Sequence, residues 1–278
     1  MGDIVFTYVI CLAVVVICAT TCFALSRYLD KRDDFADVAW GVLFIVIAIC
    51  SYGMHAQEKI TPNPALVVVF LVSTWGLRLI LHIGLRFVRS KQEDGRYRAM
   101  RVHWSGSTVL NSYVRVFLLQ GLLALAVAAP IIFTSAALPD FSWLFYAGIA
   151  IWSVGFLCEV IADWQLRCFM KVPNHKGTLM TSGLWRYSRH PNYFGELTLW
   201  WGLGIVALSV PFGWVALSGP LLLTFLIIKV SGVPPAEARA ARKPGWEEYK
   251  AATSMLIPFP PKKPKQVNMQ PDRTRYHD

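Results

Sequence analysis

The chain has 278 residues, of which 55% are hydrophobic and 16% are charged, and its formal net charge is +10 at pH 7. A soluble domain carries more charge and less apolar sequence, so this composition excludes an ordinary aqueous enzyme and indicates a polytopic membrane protein. The positive charge favours an anionic partner such as lipid headgroups or a phosphate-bearing cofactor. Nucleic acid is a weaker alternative, because no segment resembles a recognition helix.

Apolar segments recur along the chain, each near the length that an α-helix needs to cross a bilayer. They predict an all-α fold with seven transmembrane helices, centred on residues 4–26, 36–56, 64–88, 113–136, 141–166, 191–209 and 212–230. Lys and Arg are concentrated after the first, third and fifth spans and in the C-terminal tail. Since cytoplasmic loops carry this excess, we expect an outside N-terminus and a cytoplasmic C-terminus.

The spans predict one domain over residues 1–257, in either a bacterial inner membrane or the endoplasmic reticulum. Residues 258–278 are basic, Pro-rich and poor in aliphatic side chains, which predicts a disordered tail. The six cysteines lie in or at the ends of apolar spans without paired loop spacing, so neither disulfides nor a metal site is expected.

Carboxylates lie at both ends of the second span. Asp37 is at its predicted cytoplasmic end, where burial would raise its pKa and suit it to donate a proton. Alternatively, Asp37 only favours the dipole of its helix. Glu58 follows Gln57 at the other end, where the charge distribution predicts a solvated pair on the outside face.

The third span contains a basic stripe. Arg78, His82 and Arg86 recur every four residues and therefore share one helix face. Because ionisable groups are costly in hydrocarbon, the stripe predicts a polar cavity, with His82 as a second candidate acid. The alternative is that Arg86 extends to the interface while Arg78 forms an interhelical pair.

The fifth span ends in a second stripe, formed by Glu159, Asp163, Arg167 and Lys171 at the same spacing. The acids suit ribose hydroxyl groups and the bases suit phosphates, which predicts a nucleotide-binding face. The alternative is an internal ion ladder that stabilises the helix by tenths of a kcal/mol.

Three cations and four aromatic residues are packed into residues 183–196, GLWRYSRHPNYFGE, directly before an apolar helix. Arg186, Arg189 and His190 suit phosphates, while Trp185 and Tyr193 offer stacking faces. An interfacial belt of Arg, Tyr and Trp has a similar composition, so both interpretations stand at this point.

The motif continues onto the sixth span, where Asn192 and Glu196 lie one turn apart on the same helix face. A carboxamide beside a carboxylate can satisfy both the donor and the acceptor of a nicotinamide amide. Mutual capping at a helix start is the alternative.

The segment TSGLWRYSRHPNYFGE, followed by a final span, SGVP, Glu237, GWEEY and a terminal IPF, resembles the steroid 5-alpha-reductase-like superfamily. The likeness extends to WGLRL in the third span, the EDGRYRAMR loop and ADWQLRCF after the fifth, which are similar to a less characterised branch of membrane proteins. The resemblance implies a seven-helix oxidoreductase that takes NADPH from the cytoplasm and a steroid-like lipid from the bilayer. It would reduce an activated carbon–carbon double bond by hydride transfer and protonation.

The resemblance also implies which residues form the site. Asn192 and Glu196 are similar to the nicotinamide-side pair, and Asp163 is similar to an adenosine-side acid. Together with the motif, it identifies these cofactor-binding candidates: Arg86, Arg96, Tyr97, Arg101, Asp163, Arg167, Lys171, Trp185, Arg186, Arg189, His190, Asn192, Tyr193, Glu196 and Tyr249.

The catalytic candidates are Asp37, His82 and Glu58. Steroid reductases hold the 3-keto oxygen of the substrate with a Gln-Glu pair on the second span and a Tyr on the third. Here Asp37 aligns near the acid and Ile83 near the Tyr, with His82 beside it, whereas Gln57-Glu58 resembles the dipeptide only in its residue types. Other enone, polyprenyl or fatty lipids therefore stay open as substrates.

Two other functions stay open. Membrane isoprenylcysteine carboxyl methyltransferases have a similar RHPxYxG segment and bind S-adenosylmethionine, but the cation-rich loops of this chain favour a dinucleotide. A non-catalytic sterol- or lipid-binding protein of the same fold is the third possibility, although Asp163, Asn192 and Glu196 are all present.

Overall fold

The computed structural model describes residues 1–29, 32–56, 63–90 and 92–262. Apart from one isolated bridge between Ser188 and Ser254, the described residues contain no β-structure, so the predicted all-helical fold is confirmed. The predicted catalytic residue Glu58 and its neighbour Gln57 lie outside the described residues, as do residues 263–278 of the predicted tail.

Twelve α-helices occur within the described ranges. The bounds are α1 Gly2–Leu29, α2 Phe35–His55, α3 Pro64–Arg89, α4 Gly95–Val102, α5 Thr108–Ser112, α6 Leu119–Val127, α7 Ala129–Ala137, α8 Trp143–Lys171, α9 Pro191–Ala207, α10 Ser218–Phe225, α11 Val233–Ala240 and α12 Trp246–Ala252. Wider π-helical turns join α5 to α6 over Tyr113–Leu118 and extend α10 over Leu226–Val230.

Six helical segments are long and apolar enough to cross a membrane among the described residues. They are Gly2–Leu29, Phe35–His55, Pro64–Arg89, Thr108–Val127, Trp143–Lys171 and Gly213–Ala240. The predicted sixth span corresponds to α9, which has only 17 residues. The seven-span count and the orientation of the termini stay predictions.

The run predicted over residues 113–136 is interrupted. Its α-helix ends at Val127, and α7 begins at Ala129 with Pro130 in its first turn. Proline lacks a backbone N–H and clashes with the carbonyl of the preceding turn, so it starts a helix readily and disrupts one from within.

The chain folds into two compact units. The first comprises residues 1–156 and 196–227, and the second comprises residues 157–195 and 228–278. The boundaries fall within α8, within α9 and within the π-helical turn after α10, so each of these helical segments contributes to both units.

Within the first unit, α2 packs most extensively against α3 and also contacts α1 and α7. Two glycines allow the close approach of α2 and α3: a Cβ added to Gly41 would lie 2.8 Å from the carbonyl oxygen of Gly76. Small residues at such crossings let helix backbones meet in a membrane, where van der Waals packing drives association. Phe44, Trp75 and Trp200 complete the packing as buried rings with centroids 4.7–5.6 Å apart.

We predict that Gly41→Ala destabilises the protein, whereas Gly53→Ala on the same helix does not. A methyl group at residue 41 would press on a backbone oxygen of α3, whereas nothing lies within 4 Å of the corresponding position at Gly53. Overpacking of this kind costs about 1–3 kcal/mol. Thermal unfolding in detergent checks the pair, and equal midpoints for the two variants would contradict the close α2–α3 crossing.

Candidate functional site

Buried carboxylates in the α1–α2 linker bind arginines from three parts of the first unit. Asp33 is fully buried and forms ion pairs with Arg27 and Arg101, while Ser112 donates a hydrogen bond to it. Glu93 accepts the backbone N–H of Asp33 at 2.8 Å and also pairs with Arg101. Because buried charges must be paired and hydrogen-bonded, this network fixes the segment before α4 against the linker.

Asp34 and Asp94 continue this network to the first turn of α4. Asp34 binds Arg32 through both carboxylate oxygens and accepts the backbone N–H of Asp94 at 3.1 Å. Asp94 is the N-cap of α4 and accepts the N–H of Arg96 at 2.9 Å. A cap of this type satisfies an otherwise unpaired N–H and fixes where the helix begins.

Burial raises the pKa of Asp94, but hydrogen bonds from the Arg96 side chain and backbone, helped by the charge of Arg86, lower it more, so the net pKa is below the usual value. The predicted cofactor residues Arg96 and Arg101 thus form ion pairs within the first unit. Their contact with a cofactor stays a prediction.

This anchoring brings α4 against the first turn of α2. Tyr97 donates its hydroxyl hydrogen to Oδ1 of Asp37 at 2.6 Å, and Arg96 binds Oδ2 of the same carboxylate at 2.7 Å. Tyr97 is only 4% exposed, although it lies on a helix outside the six candidate spans. Asp37 therefore shares its two oxygens between a guanidinium and a phenol.

Gln120 extends the cluster from α6. Its Nε2 donates to the Tyr97 hydroxyl oxygen at 3.3 Å, while its buried Oε1 has no hydrogen-bond partner. Burial, the charge of Asp37 and the hydrogen bond to it hold the pKa of Tyr97 well above its ordinary value. Tyr97 therefore keeps its proton at neutral pH, and in this structure it donates that proton to the hydrogen bond with Asp37.

The Arg96 guanidinium stays charged beside this phenol. Burial lowers its pKa, but the charge of Asp37 and the hydrogen bond to Asp94 raise it more, so the net pKa of Arg96 is above its ordinary value. The guanidinium of Arg96 thus places a positive charge beside the carboxylate of Asp37, and the role of Asp37 as a proton donor stays a prediction.

In the second unit, the GLWRYSRHPNYFGE motif begins as a turn against α8. Gly183 has a φ of 62°, and a Cβ there would lie 2.5 Å from Oε1 of Gln165. That oxygen accepts the backbone N–H of Leu184 at 2.9 Å, and Trp185 donates its indole N–H to the carbonyl of Ala162 at 3.1 Å. The left-handed conformation and the close side chain both require glycine at residue 183.

Arg189 binds the C-terminal part of the chain to the motif. Its guanidinium pairs with Glu237 at 2.7 Å and donates to the carbonyls of Thr253 and Lys250 at 2.5 and 3.1 Å. Cations stabilise helix C-termini by satisfying the last carbonyls, which here belong to α12. Tyr249, also on α12, donates its hydroxyl to the carbonyl of Trp185 at 2.6 Å. These predicted cofactor residues thus hold the motif in shape.

His190 is buried beside this ion pair. Its Nε2 lies 3.5 Å from Glu237, too far for a good hydrogen bond, and its ring stacks on Tyr193 with the centroids 5.3 Å apart. Burial lowers the pKa of His190 most, Arg189 lowers it further and Glu237 only partly compensates, so the net pKa is below the ordinary value. His190 is therefore neutral at pH 7 and supplies no charge to a phosphate.

The acidic part of the α8 stripe is buried. Glu159 and Asp163 are 4% and 9% exposed, and Asn192 at the start of α9 donates to Asp163 at 3.3 Å. Three exposed basic residues come after these acids in the sequence: Arg167 and Lys171 on α8, and Arg186 in the motif. The second unit therefore presents acids, an amide and accessible cations, the groups that a nucleotide needs.

The other predicted residues lie in the first unit. Arg78, His82 and Arg86 are on α3, the first two half-buried and the last exposed, and Glu196 is on the part of α9 that belongs to this unit. The role of His82 as an acid stays a prediction.

The sequence alone does not predict that Tyr97 contacts Asp37, or that Gln120 and Gln165 take part in the hydrogen bonding. Tyr97 is 60 residues from Asp37, and no helical or strand period links the two. The available signal is the N-cap Asp94 followed by Arg96 and Tyr97, which marks a short amphipathic helix with a polar face. Gln120 and Gln165 carry no distinguishing signal, because each lies within an otherwise apolar or mixed helix.

Comparison with known proteins assigns the chain to a family. Residues 22–253 match the family described as "Protein of unknown function (DUF1295)". The mouse and bovine proteins named 3-oxo-5-alpha-steroid 4-dehydrogenase 1 are each 28% identical over 120 residues, which cover 41% of this chain and 42% of theirs. The human protein of that name is also 28% identical over 120 residues, 41% of either chain.

The chain thus spans about two fifths of the length of the curated relatives that it matches. No solved structure matches it at a comparable level. Since the family match covers most of the chain, from the end of α1 to the end of α12, the chain belongs to the DUF1295 family of steroid 5-alpha-reductase-like membrane proteins.

Proposed function

We propose that the protein is an NADPH-dependent reductase of an activated carbon–carbon double bond in a membrane-dissolved, steroid-like lipid. The observation that carries the proposal is the Tyr97–Asp37–Arg96 cluster, a protonated phenol fixed by an ion pair at the end of an apolar helix. The names of the curated relatives, which describe 3-oxo-steroid oxidoreductases, support the same reaction class.

The second unit supports the cofactor part of the proposal by its chemistry. Asp163 and Glu159 would take ribose hydroxyls, and Asn192 would take the nicotinamide amide. Glu196, one turn further along α9, keeps the nicotinamide-side role that the resemblance implies. Arg167, Lys171 and Arg186 are exposed and would bind phosphates. When bound, NADPH supplies the hydride for the double bond.

Arg189 and Tyr249 have a different task in this proposal. Because they bind backbone carbonyls of α12 and of the motif, they hold the binding loop in a single conformation and leave the phosphates to the exposed cations. Pre-organised loops bind ligands more tightly because less ordering entropy is lost on binding.

Tyr97 would polarise the carbonyl group of the substrate. Rotation about its C–O bond turns the hydroxyl hydrogen from Asp37 toward a carbonyl oxygen, where it stabilises the charge that develops as the double bond is reduced. Its raised pKa keeps the proton on the phenol, so Tyr97 acts as a hydrogen-bond donor to the developing enolate.

Asp37 and Arg96 would position this phenol. Before substrate binds, Asp37 accepts the hydroxyl hydrogen at 2.6 Å and so fixes where the phenol lies. Arg96 neutralises the carboxylate, so that the negative charges of enolate and carboxylate repel each other less. Asp37 is thus proposed as a positioning residue, and the proton for the substrate carbon is proposed to come from His82, the other candidate acid among the described residues.

We predict that Tyr97→Phe lowers kcat for reduction of a 3-oxo-4-ene steroid by about 10²–10³-fold, the usual effect of removing one donor to a developing oxyanion. NADPH affinity should stay within about twofold, because the phenol contacts Asp37 and Gln120. Steady-state rates in detergent, with product identified by mass spectrometry, check the first point, and fluorescence titration of NADPH checks the second.

Tyr28→Phe is the matched control, since Tyr28 is 86% exposed and loses the same hydroxyl group. Its kcat should equal that of the wild type. Full activity of Tyr97→Phe would contradict the role of the phenol, whereas an equal loss in both variants would point to general damage.

A second prediction concerns the cofactor. Asn192→Ala and Glu196→Ala should each weaken NADPH binding by about 10–100-fold, the cost of one lost hydrogen bond to a charged or buried group. Glu247→Ala removes an exposed carboxylate from the first turn of α12 and should leave NADPH binding unchanged.

Thermal unfolding in the presence of each cofactor distinguishes a reductase from a methyltransferase. NADPH should raise the unfolding temperature of the wild type, and S-adenosylmethionine should not. Protection by S-adenosylmethionine alone, or NADPH binding that both site variants retain, would overturn the cofactor assignment.

A further inference from the structure

Three large side chains outside the candidate spans are exposed next to one another in the second unit. Ile257 and Phe259 are 55% and 58% exposed, and Tyr187 is 40% exposed. The backbone N–H of Phe259 donates to the carbonyl of Tyr187 at 3.0 Å, so these residues are neighbours. We call Tyr187, Ile257 and Phe259 the C-terminal patch. Grouped apolar residues that a fold leaves exposed usually mark an interaction surface.

The patch is held rigidly by the fold. Ser188 donates its hydroxyl to the carbonyl of Leu256 at 2.7 Å, just before the patch, and the N–H of Lys262 donates to Ala252 at 2.9 Å, just after it. Ser254 also donates to the carbonyl of Ile257. Because these bonds fix the backbone on both sides, the exposure of Ile257 and Phe259 is built into the structure.

A cleft of about 400 Å³ adjoins the patch. Phe259 belongs to both, and Lys250, Thr253, Ser254 and Lys262 also line the cleft. Arg189 also lines the cleft but is already paired with Glu237, so the charge offered to a ligand comes from the two exposed lysines. The hydroxyls of Thr253 and Ser254 add polar groups, and the volume suits a headgroup-sized ligand.

The charge around the cleft is positive. The two lysines that line it, Lys250 and Lys262, are both exposed. The acidic residues Glu247 and Glu248, at the start of α12, are not among those that line the cleft. Lysines beside exposed aromatic and aliphatic side chains match the interface of a membrane, where phosphates lie next to the acyl region.

We propose that this surface binds an anionic phospholipid, with the lipid phosphate between Lys250 and Lys262 and the C-terminal patch against the glycerol and upper acyl chains. A phosphatidylcholine carries the same phosphate but adds a cationic amine that the two lysines repel. The surface therefore selects phosphatidylglycerol over phosphatidylcholine. This site is separate from the proposed reductase chemistry, because none of its ligand-binding side chains is assigned to NADPH or substrate.

The test uses the full-length protein in a mild detergent, titrated with dioleoylphosphatidylglycerol or dioleoylphosphatidylcholine, with bound lipids counted by native mass spectrometry. We expect one phosphatidylglycerol to bind at least tenfold more tightly than phosphatidylcholine. The double variant Lys250→Gln, Lys262→Gln should lower the affinity for phosphatidylglycerol by about 30-fold, since each basic residue near a lipid surface contributes about fivefold to affinity.

The double variant Lys176→Gln, Arg242→Gln is the matched control, because it removes two exposed positive charges elsewhere in the second unit. It should bind phosphatidylglycerol as the wild type does. The double variant Ile257→Ser, Phe259→Ser should lower the affinities for both lipids by similar factors. This variant tests the apolar part of the surface separately from its charges.

Three outcomes would overturn the proposal. Equal affinity for the two lipids would remove the headgroup selectivity, and an equal loss in both charge variants would reduce the effect to net charge. Displacement of phosphatidylglycerol by millimolar inorganic pyrophosphate, with serine substitutions in the patch having no effect, would identify a phosphate site in place of a lipid surface.

Discussion

The proposed catalytic site depends on the two hydrogen bonds that Asp37 accepts, one from the phenol of Tyr97 and one from the guanidinium of Arg96. A carboxylate at the start of an apolar helix is costly unless it is paired, and this pairing requires α4 to lie against α2. The linker network around Asp33 and Asp94 is needed to hold α4 there. The position of one phenol is thus maintained by charges on α1, in the α1–α2 linker, in the segment before α4 and on α4.

The second unit uses a similar principle with different residues. Arg189 satisfies carbonyls at the end of α12 and pairs with Glu237, so the cation-rich motif is fixed by internal bonds before any ligand binds. Gly183 lets the turn approach Gln165, and Trp185 anchors it to α8. A motif that carries several cations therefore divides them between structure, as in Arg189, and solvent-facing positions, as in Arg186.

Local pattern and composition account for much of the fold. Apolar length predicts seven spans, six of which correspond to the candidate membrane-spanning segments of the described residues, and Pro191 marks the start of α9. The break at Ala128 escapes prediction because Pro130 lies in a uniformly apolar run, where hydropathy does not reveal a change of helix. The Asp37–Tyr97 contact cannot be predicted from the sequence for a different reason. The contact joins residues 60 apart through tertiary packing, which no period of 2.0 or 3.6 residues encodes. The ionic roles of Arg96 and Arg189 escape prediction too, since a basic residue in a loop has the same appearance whether it faces a carboxylate or a phosphate.

Reduction of a lipid enone by hydride from NADPH is tested most directly by isotope transfer. The full-length protein in liposomes would be incubated with a 3-oxo-4-ene steroid and NADPH in which both hydrogens at C4 of the nicotinamide are replaced by deuterium. We expect the product to be the saturated ketone with one deuterium on the reduced bond, as measured by mass spectrometry. An unreduced steroid, together with unreduced polyprenyl and fatty enones in the same assay, would contradict the proposed reaction.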